Sequence, residues 1–112
     1  MDKWQILFLK GATYEQQIAL SGITDIATAT NWRVRVAQPN AVPFLDATIT
    51  NGMIVDIVPP TTGIKKLVVP AATTATFPTG NCRFDFEVEW AGGIVRRYYE
   101  NGQAQVNPKV GA

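Results

Sequence analysis

The chain has 112 residues, a formal net charge of +1, 46% hydrophobic residues and 17% charged residues. That length fits one domain, residues 1–112, with one modest core, and the hydrophobic content excludes an intrinsically disordered chain. The near-neutral balance leaves no global field to draw the protein to nucleic acid or to an anionic membrane.

Strand signals run the length of the chain. Residues 4–10 and 13–20 read as two strands around Gly11. Trp32-Arg33-Val34-Arg35-Val36 alternates apolar and charged side chains, and Pro39 stops it. Asn51-Gly52 follows residues 44–50 and precedes residues 53–58, both rich in β-branched side chains. That dipeptide between such runs predicts a tight hairpin. Pro59-Pro60 is expected to end the second strand, since proline cannot donate to a ladder. Residues 64–69 read as a further strand, and residues 71–76, between Pro70 and Pro78, as one short helical turn.

The clearest element is Cys82-Arg83-Phe84-Asp85-Phe86-Glu87-Val88-Glu89-Trp90. Period-two alternation places Cys82, Phe84, Phe86, Val88 and Trp90 toward a core, and Arg83, Asp85, Glu87 and Glu89 toward solvent or a partner. Ala91-Gly92-Gly93 turns the chain back. A two-residue Gly-Gly loop sets Arg96 opposite Glu89 and Tyr98 opposite Glu87, and it turns Arg97 inward. A bulge or a three-residue loop shifts that register. Asn101-Gly102 marks either a second hairpin or a bulge within one long bent strand. About eight short strands at close spacing predict an all-β, antiparallel β-sandwich, immunoglobulin-like or jelly-roll-like.

The chemistry the residues offer is sparse. There is no histidine, Ser21 is the only serine and Cys82 the only cysteine. That removes the usual general base, the serine triad, an internal disulfide and a Cys/His zinc site. Neither common Gly-rich phosphate loop is present. Asp85, Glu87 and Glu89 cluster on a strand, where they solvate a face, and no carboxylate pair stands out for glycosidase work. No enzyme activity, cofactor or metal is expected, and Cys82 reads as a buried packing thiol. No apolar run reaches the ~18 residues of a membrane span. Asp2 and the short apolar run at residues 6–9 do not suit a signal peptide, so the chain is expected to start at Met1.

The aromatic and arginine side chains remain as candidates for recognition. Trp4, Trp32, Trp90, Tyr14, Tyr98 and Tyr99 either fill the core or stack on a partner. Tyr98 and Tyr99 are adjacent on a strand and are expected on opposite faces, which leaves one outside. Arg33, Arg35, Arg96 and Arg97 form either a basic stripe or local pairs with Asp85, Glu87 and Glu89. The candidate interface residues are Trp4, Arg33, Arg35, Arg96 and Tyr98.

A series of short blocks runs through most of the chain. They are Lys10-Gly11-Ala12-Thr13-Tyr14, Ser21-Gly22-Ile23-Thr24-Asp25 and Trp32-Arg33-Val34-Arg35. Phe77-Pro78-Thr79-Gly80-Asn81 and Arg83-Phe84-Asp85-Phe86-Glu87-Val88 come next, then Gly93-Ile94-Val95-Arg96-Arg97, Gly102 and Val106-Asn107-Pro108-Lys109-Val110. In their order the blocks resemble small all-β virion proteins of tailed bacteriophages, with a shorter helical turn at residues 71–76. Such proteins include capsid decoration proteins and the N-terminal modules of baseplate and tail-fibre proteins. The resemblance implies a virion structural protein, made in the host cytoplasm, that cements neighbouring capsid subunits. Its expected partner is the major capsid protein, with a homodimer on the lattice and with residues 1–3 and 107–112 reaching along neighbours. The alternatives are a tail, baseplate or fibre-attachment module binding a tail or baseplate protein, and a carbohydrate-binding domain. Fold alone does not fix function.

Overall fold

The computed structural model describes residues 4–20, 22–23 and 25–108. Ser21, Thr24 and the end residues 1–3 and 109–112, part of the expected reach along neighbours, lie outside the described residues. Among the described residues there are eight strands: β1 (Ile6–Leu9), β2 (Tyr14–Ala19), β3 (Asn31–Ala37), β4 (Pro43–Thr48), β5 (Ile54–Thr61), β6 (Ile64–Val69), β7 (Gly80–Trp90) and β8 (Ile94–Asn107). The one α-helical turn, α1 (Ala71–Thr74), falls where the two flanking prolines place it.

The strands form a five-stranded sheet, β1-β8-β7-β3-β4, and a three-stranded sheet, β2-β6-β5. Pairing is antiparallel except that β1 lies parallel to β8, with Ile6 opposite Ala104 and Phe8 opposite Val106. Side chains of both sheets close one hydrophobic cluster, including Phe8, Val34 and Phe86 from the large sheet and Ile18, Ile54 and Leu67 from the small one. The Phe8 and Tyr14 rings meet edge to face between the sheets, 4.9 Å apart. The fold is thus a β-sandwich, as the alternation predicts.

β7 carries that alternation into the structure directly. Cys82, Phe84, Phe86 and Val88 are buried on the core face, and Trp90 closes its end. Trp32, Val34 and Val36 of β3 lie beside them, in register with Val88, Phe86 and Phe84. Cross-strand apolar pairs of this kind are the unit of sheet stability.

Three local expectations are corrected, and the register left open at the β7–β8 turn is fixed. Asn51-Gly52 does not close a hairpin, because β4 pairs with β3 and β5 pairs with β6 in the other sheet. The dipeptide is instead the corner where the chain changes sheets. The Asn51 carboxamide holds it, accepting from the Thr48 N–H (3.0 Å) and the Met53 N–H (3.1 Å) and donating to the Asp46 carbonyl (2.7 Å). Pro59-Pro60 does not end β5. The strand runs on to Thr61, and the ladder to β6 lapses between Asp56 and Thr61, where the two prolines fall.

The β7–β8 turn is a three-residue loop, with Trp90 opposite Ile94. Gly92 and Gly93 both take positive φ, which side chains disfavour. The register therefore moves by one residue. Arg97 lies outward opposite Glu87, and Arg96 falls opposite Val88. Tyr98 and Tyr99 do not point to opposite faces. Glu87 faces Arg97 while Phe86 faces Tyr99, so Tyr98 is an extra residue in a bulge. Both rings turn toward the core, Tyr98 6.1 Å from Phe86 and Tyr99 5.6 Å from Phe84. A second bulge follows at Asn101, which takes a positive φ and donates its N–H to Asp85 Oδ1 at 3.0 Å. Asn101-Gly102 is therefore a bulge within one long strand.

Candidate interaction surface

The outer face of the large sheet carries the charged side chains that β3, β4, β7 and β8 alternate away from the core. Glu87 sits at its centre and is itself buried, because two arginines cover it. Arg35 Nη1 lies 3.4 Å from one carboxylate oxygen and Arg97 Nη2 3.5 Å from the other. Arg33 Nε lies 3.1 Å from Asp46, and Arg97 also reaches Glu100 at 3.5 Å. Arg33, Arg35 and Arg97 thus share a face, interleaved with Asp46, Glu87 and Glu100. The pairing sets their charges against one another, and Asp46 and Glu100, rather than Asp85 and Glu89, join Glu87 as the acids. Asp85 is taken up by the Asn101 backbone.

Arg96 lies apart from that lattice. Its guanidinium stacks 4.9 Å from the Trp90 ring and approaches Asp25 at 3.4 Å, while the Trp90 indole N–H donates to the Asp25 carbonyl at 2.8 Å. Trp4 packs edge to face on Phe84, Phe86 and Tyr99, with ring separations of 4.8, 5.8 and 5.5 Å. Of the candidate interface residues, then, Arg33 and Arg35 lie on one outer face, Arg96 stacks at the sheet end, and Trp4 and Tyr98 are half-buried against the core. Trp32 and Trp90 are buried and Tyr14 packs against the cluster. Burial pushes the Tyr14 phenol up, and the Trp4 indole partly offsets that. Burial pushes the Cys82 thiol up as well. No group of three or more metal-ligating side chains occurs among the described residues.

Two features bear on recognition that the sequence reading passes over. The first is the outer edge of β8. Its other edge pairs with β7 throughout the hairpin, but β1 covers the outer edge only from Ala104 to Asn107. Among the described residues no strand lies beside residues 94–98, and Ile94 (51%) and Val95 (47%) stand exposed at the tip. Consecutive apolar residues on a strand cannot both face the core, and Ile94-Val95 was the local signal. The second is a shallow trough on the outer face of β1, β8 and β7, lined by Gln5, Leu7, Asn81, Arg83, Gln103 and Gln105.

No family model matches this chain, and no curated protein matches it either. Among the described residues no helix is long and apolar enough to cross a membrane.

Proposed function

We propose that this chain is a structural protein of a phage virion, a capsid decoration protein that binds neighbouring copies of the major capsid protein and acts without catalysis. The observation that carries the reading is the tip of the β8 edge, where Ile94 and Val95 are exposed and no strand among the described residues lies beside them. An open strand edge with exposed apolar residues is a template for adding a strand from a neighbour. Natural monomers blunt such edges, and here the bulges at Tyr98 and Asn101 and the charges of Arg96 and Arg97 leave only the tip unguarded. The order of sequence blocks shared with small β virion proteins supports the same reading. On a repeating lattice, weak contacts through such edges add up by avidity, and a two-fold pairing of copies suits the symmetry.

Mass spectrometry with copy counting on purified virions tests this. The expected result is a copy number in proportion to the capsid subunits. A few copies per particle, with label at the tail and none on the head, would overturn it in favour of a tail, baseplate or fibre-attachment module.

A further inference from the structure

The trough beside the charge lattice has a different chemistry. Arg33, Arg35, Arg96 and Arg97 each have a carboxylate within 4 Å, and Arg83 has none among the described residues. Among the described residues its side chain makes one hydrogen bond, from Nη1 to its neighbour's carbonyl, Cys82 O, at 3.3 Å. The strand register sets its surroundings. Arg83 faces Gln103 on β8, and Gln103 Oε1 accepts from Gln5 Nε2 at 3.2 Å, which makes one row across β7, β8 and the residue just before β1. The adjacent row is Asn81, Gln105 and Leu7. Leu7 is 55% exposed at its end. An unneutralised guanidinium thus sits at one corner of an amide-covered patch, and an exposed aliphatic side chain at the opposite corner.

We infer that this patch docks an extended acidic segment of the partner protein, with a carboxylate on Arg83 and an aliphatic side chain on Leu7. The guanidinium matches a carboxylate with two parallel hydrogen bonds. The four amides carry both donors and acceptors, which suits the peptide groups of a chain lying across them. Strands about 4.8 Å apart and residues about 3.3 Å apart put the two corners roughly 12 Å from each other, or three to four residues of extended chain. Flat amide rows without an aromatic side chain offer no stacking surface for a sugar, so the carboxylate is that of a protein side chain. This rests on the decoration reading and adds a second contact surface, as a protein bridging two neighbours requires.

The test is a titration of the full chain, followed by NMR, with a ten-residue threonine-rich peptide carrying Glu and Leu three positions apart. Saturable shifts confined to the Arg83, Asn81, Gln103 and Gln105 side chains are expected. Replacing the peptide's Glu by Gln, or Arg83→Gln in the protein, should weaken binding at least tenfold, and Leu7→Ser should weaken it severalfold. Arg83→Glu should bind the peptide in which Glu is replaced by Lys. Absence of saturable shifts, equal binding of the Glu and Gln peptides, or equal binding of a polyuronate or polyphosphate would overturn the inference. The peptide variants keep the test decisive if a protein variant misfolds. A chain absent from virions that still binds the Glu–Leu peptide fails the decoration reading alone. One present in proportion to the capsid that ignores the peptide fails this inference alone.

Discussion

The Phe84 ring lies flat over the backbone of Gly102, so close that a Cβ at position 102 would sit 2.4 Å from Cε1 and 2.6 Å from Cζ. The two residues are partners across β7 and β8, and the second bulge directly precedes the glycine. An aromatic ring thus covers the glycine and leaves no room for a side chain there. Phe84 is held on its other sides by Trp4 and Tyr99, at 4.8 and 5.6 Å, and cannot simply move aside. Gly102→Ala is therefore expected to destabilise the fold by about 1–3 kcal/mol, the range for overpacking. Urea unfolding read by tryptophan fluorescence measures it, and an unchanged midpoint would contradict the packing described.

Glu87 poses the opposite problem, a buried charge that depends on its neighbours. Glu87→Gln leaves Arg35 and Arg97 facing a neutral amide. Removing one partner of a buried pair costs about 3–5 kcal/mol, but both arginines are more than a third exposed. Solvent screening reduces the expected loss to about 1–2 kcal/mol. The effect should shrink in the Arg97→Ala background, and a double-mutant cycle with no coupling would count against the bridge.

How much of this was legible in the sequence depends on whether one periodicity held. The alternation from Cys82 to Trp90 survives, because every apolar side chain there is buried in the common cluster. Asn51-Gly52 misleads because its local chemistry suits a hairpin and a corner between sheets equally, and only the long-range pairing of β4 and β5 decides. Tyr98 and Tyr99 mislead because a bulge breaks period two, and its cause is the bend in β8 rather than anything at those two residues. Glu87 reads as a surface acid because sequence does not reveal that two arginines fold over it. The candidate surfaces were less legible still. The open tip of the β8 edge follows from where β1 begins, opposite Ala104, and the isolation of Arg83 follows from which acids its neighbours consume.

Asn51 offers a direct check on the sheet corner. Its carboxamide accepts two backbone hydrogen bonds and donates a third. Asn51→Ala should cost about 1–2 kcal/mol, since the site is partly exposed and water replaces some of the loss. Asn51→Asp keeps both acceptors and should cost less. Equal effects of the two substitutions in thermal unfolding would mean that the accepted bonds contribute nothing.

Cys82 and Tyr14 each make stability fall at alkaline pH. Burial raises both above their ordinary values, so the unfolded chain loses these protons at a lower pH than the folded one. Stability is then full below the unfolded thiol value of about 8.5 and falls as pH rises through it, with a further fall above the phenol value of about 10. Cys82→Ala should remove the first part of the decline and leave the second. The native thiol should also resist a disulfide reagent until the protein unfolds. Rapid labelling under native conditions would contradict the burial of Cys82.

The tip of the β7–β8 hairpin separates assembly from stability. Ile94 and Val95 lie in no part of the buried cluster, so substitution there removes little packing. Val95→Lys should change the unfolding free energy by no more than about 0.5 kcal/mol, as is usual for surface positions. A lysine on an open strand edge opposes the addition of another strand, because its charge must be desolvated beside the new neighbour. Binding to purified capsids should therefore fall sharply while the melting temperature stays put. Sedimentation of the variant with capsids measures the first and calorimetry the second. Undiminished co-sedimentation of Val95→Lys would remove the β8 edge from the contact and leave the amide patch around Arg83 as the surface to pursue.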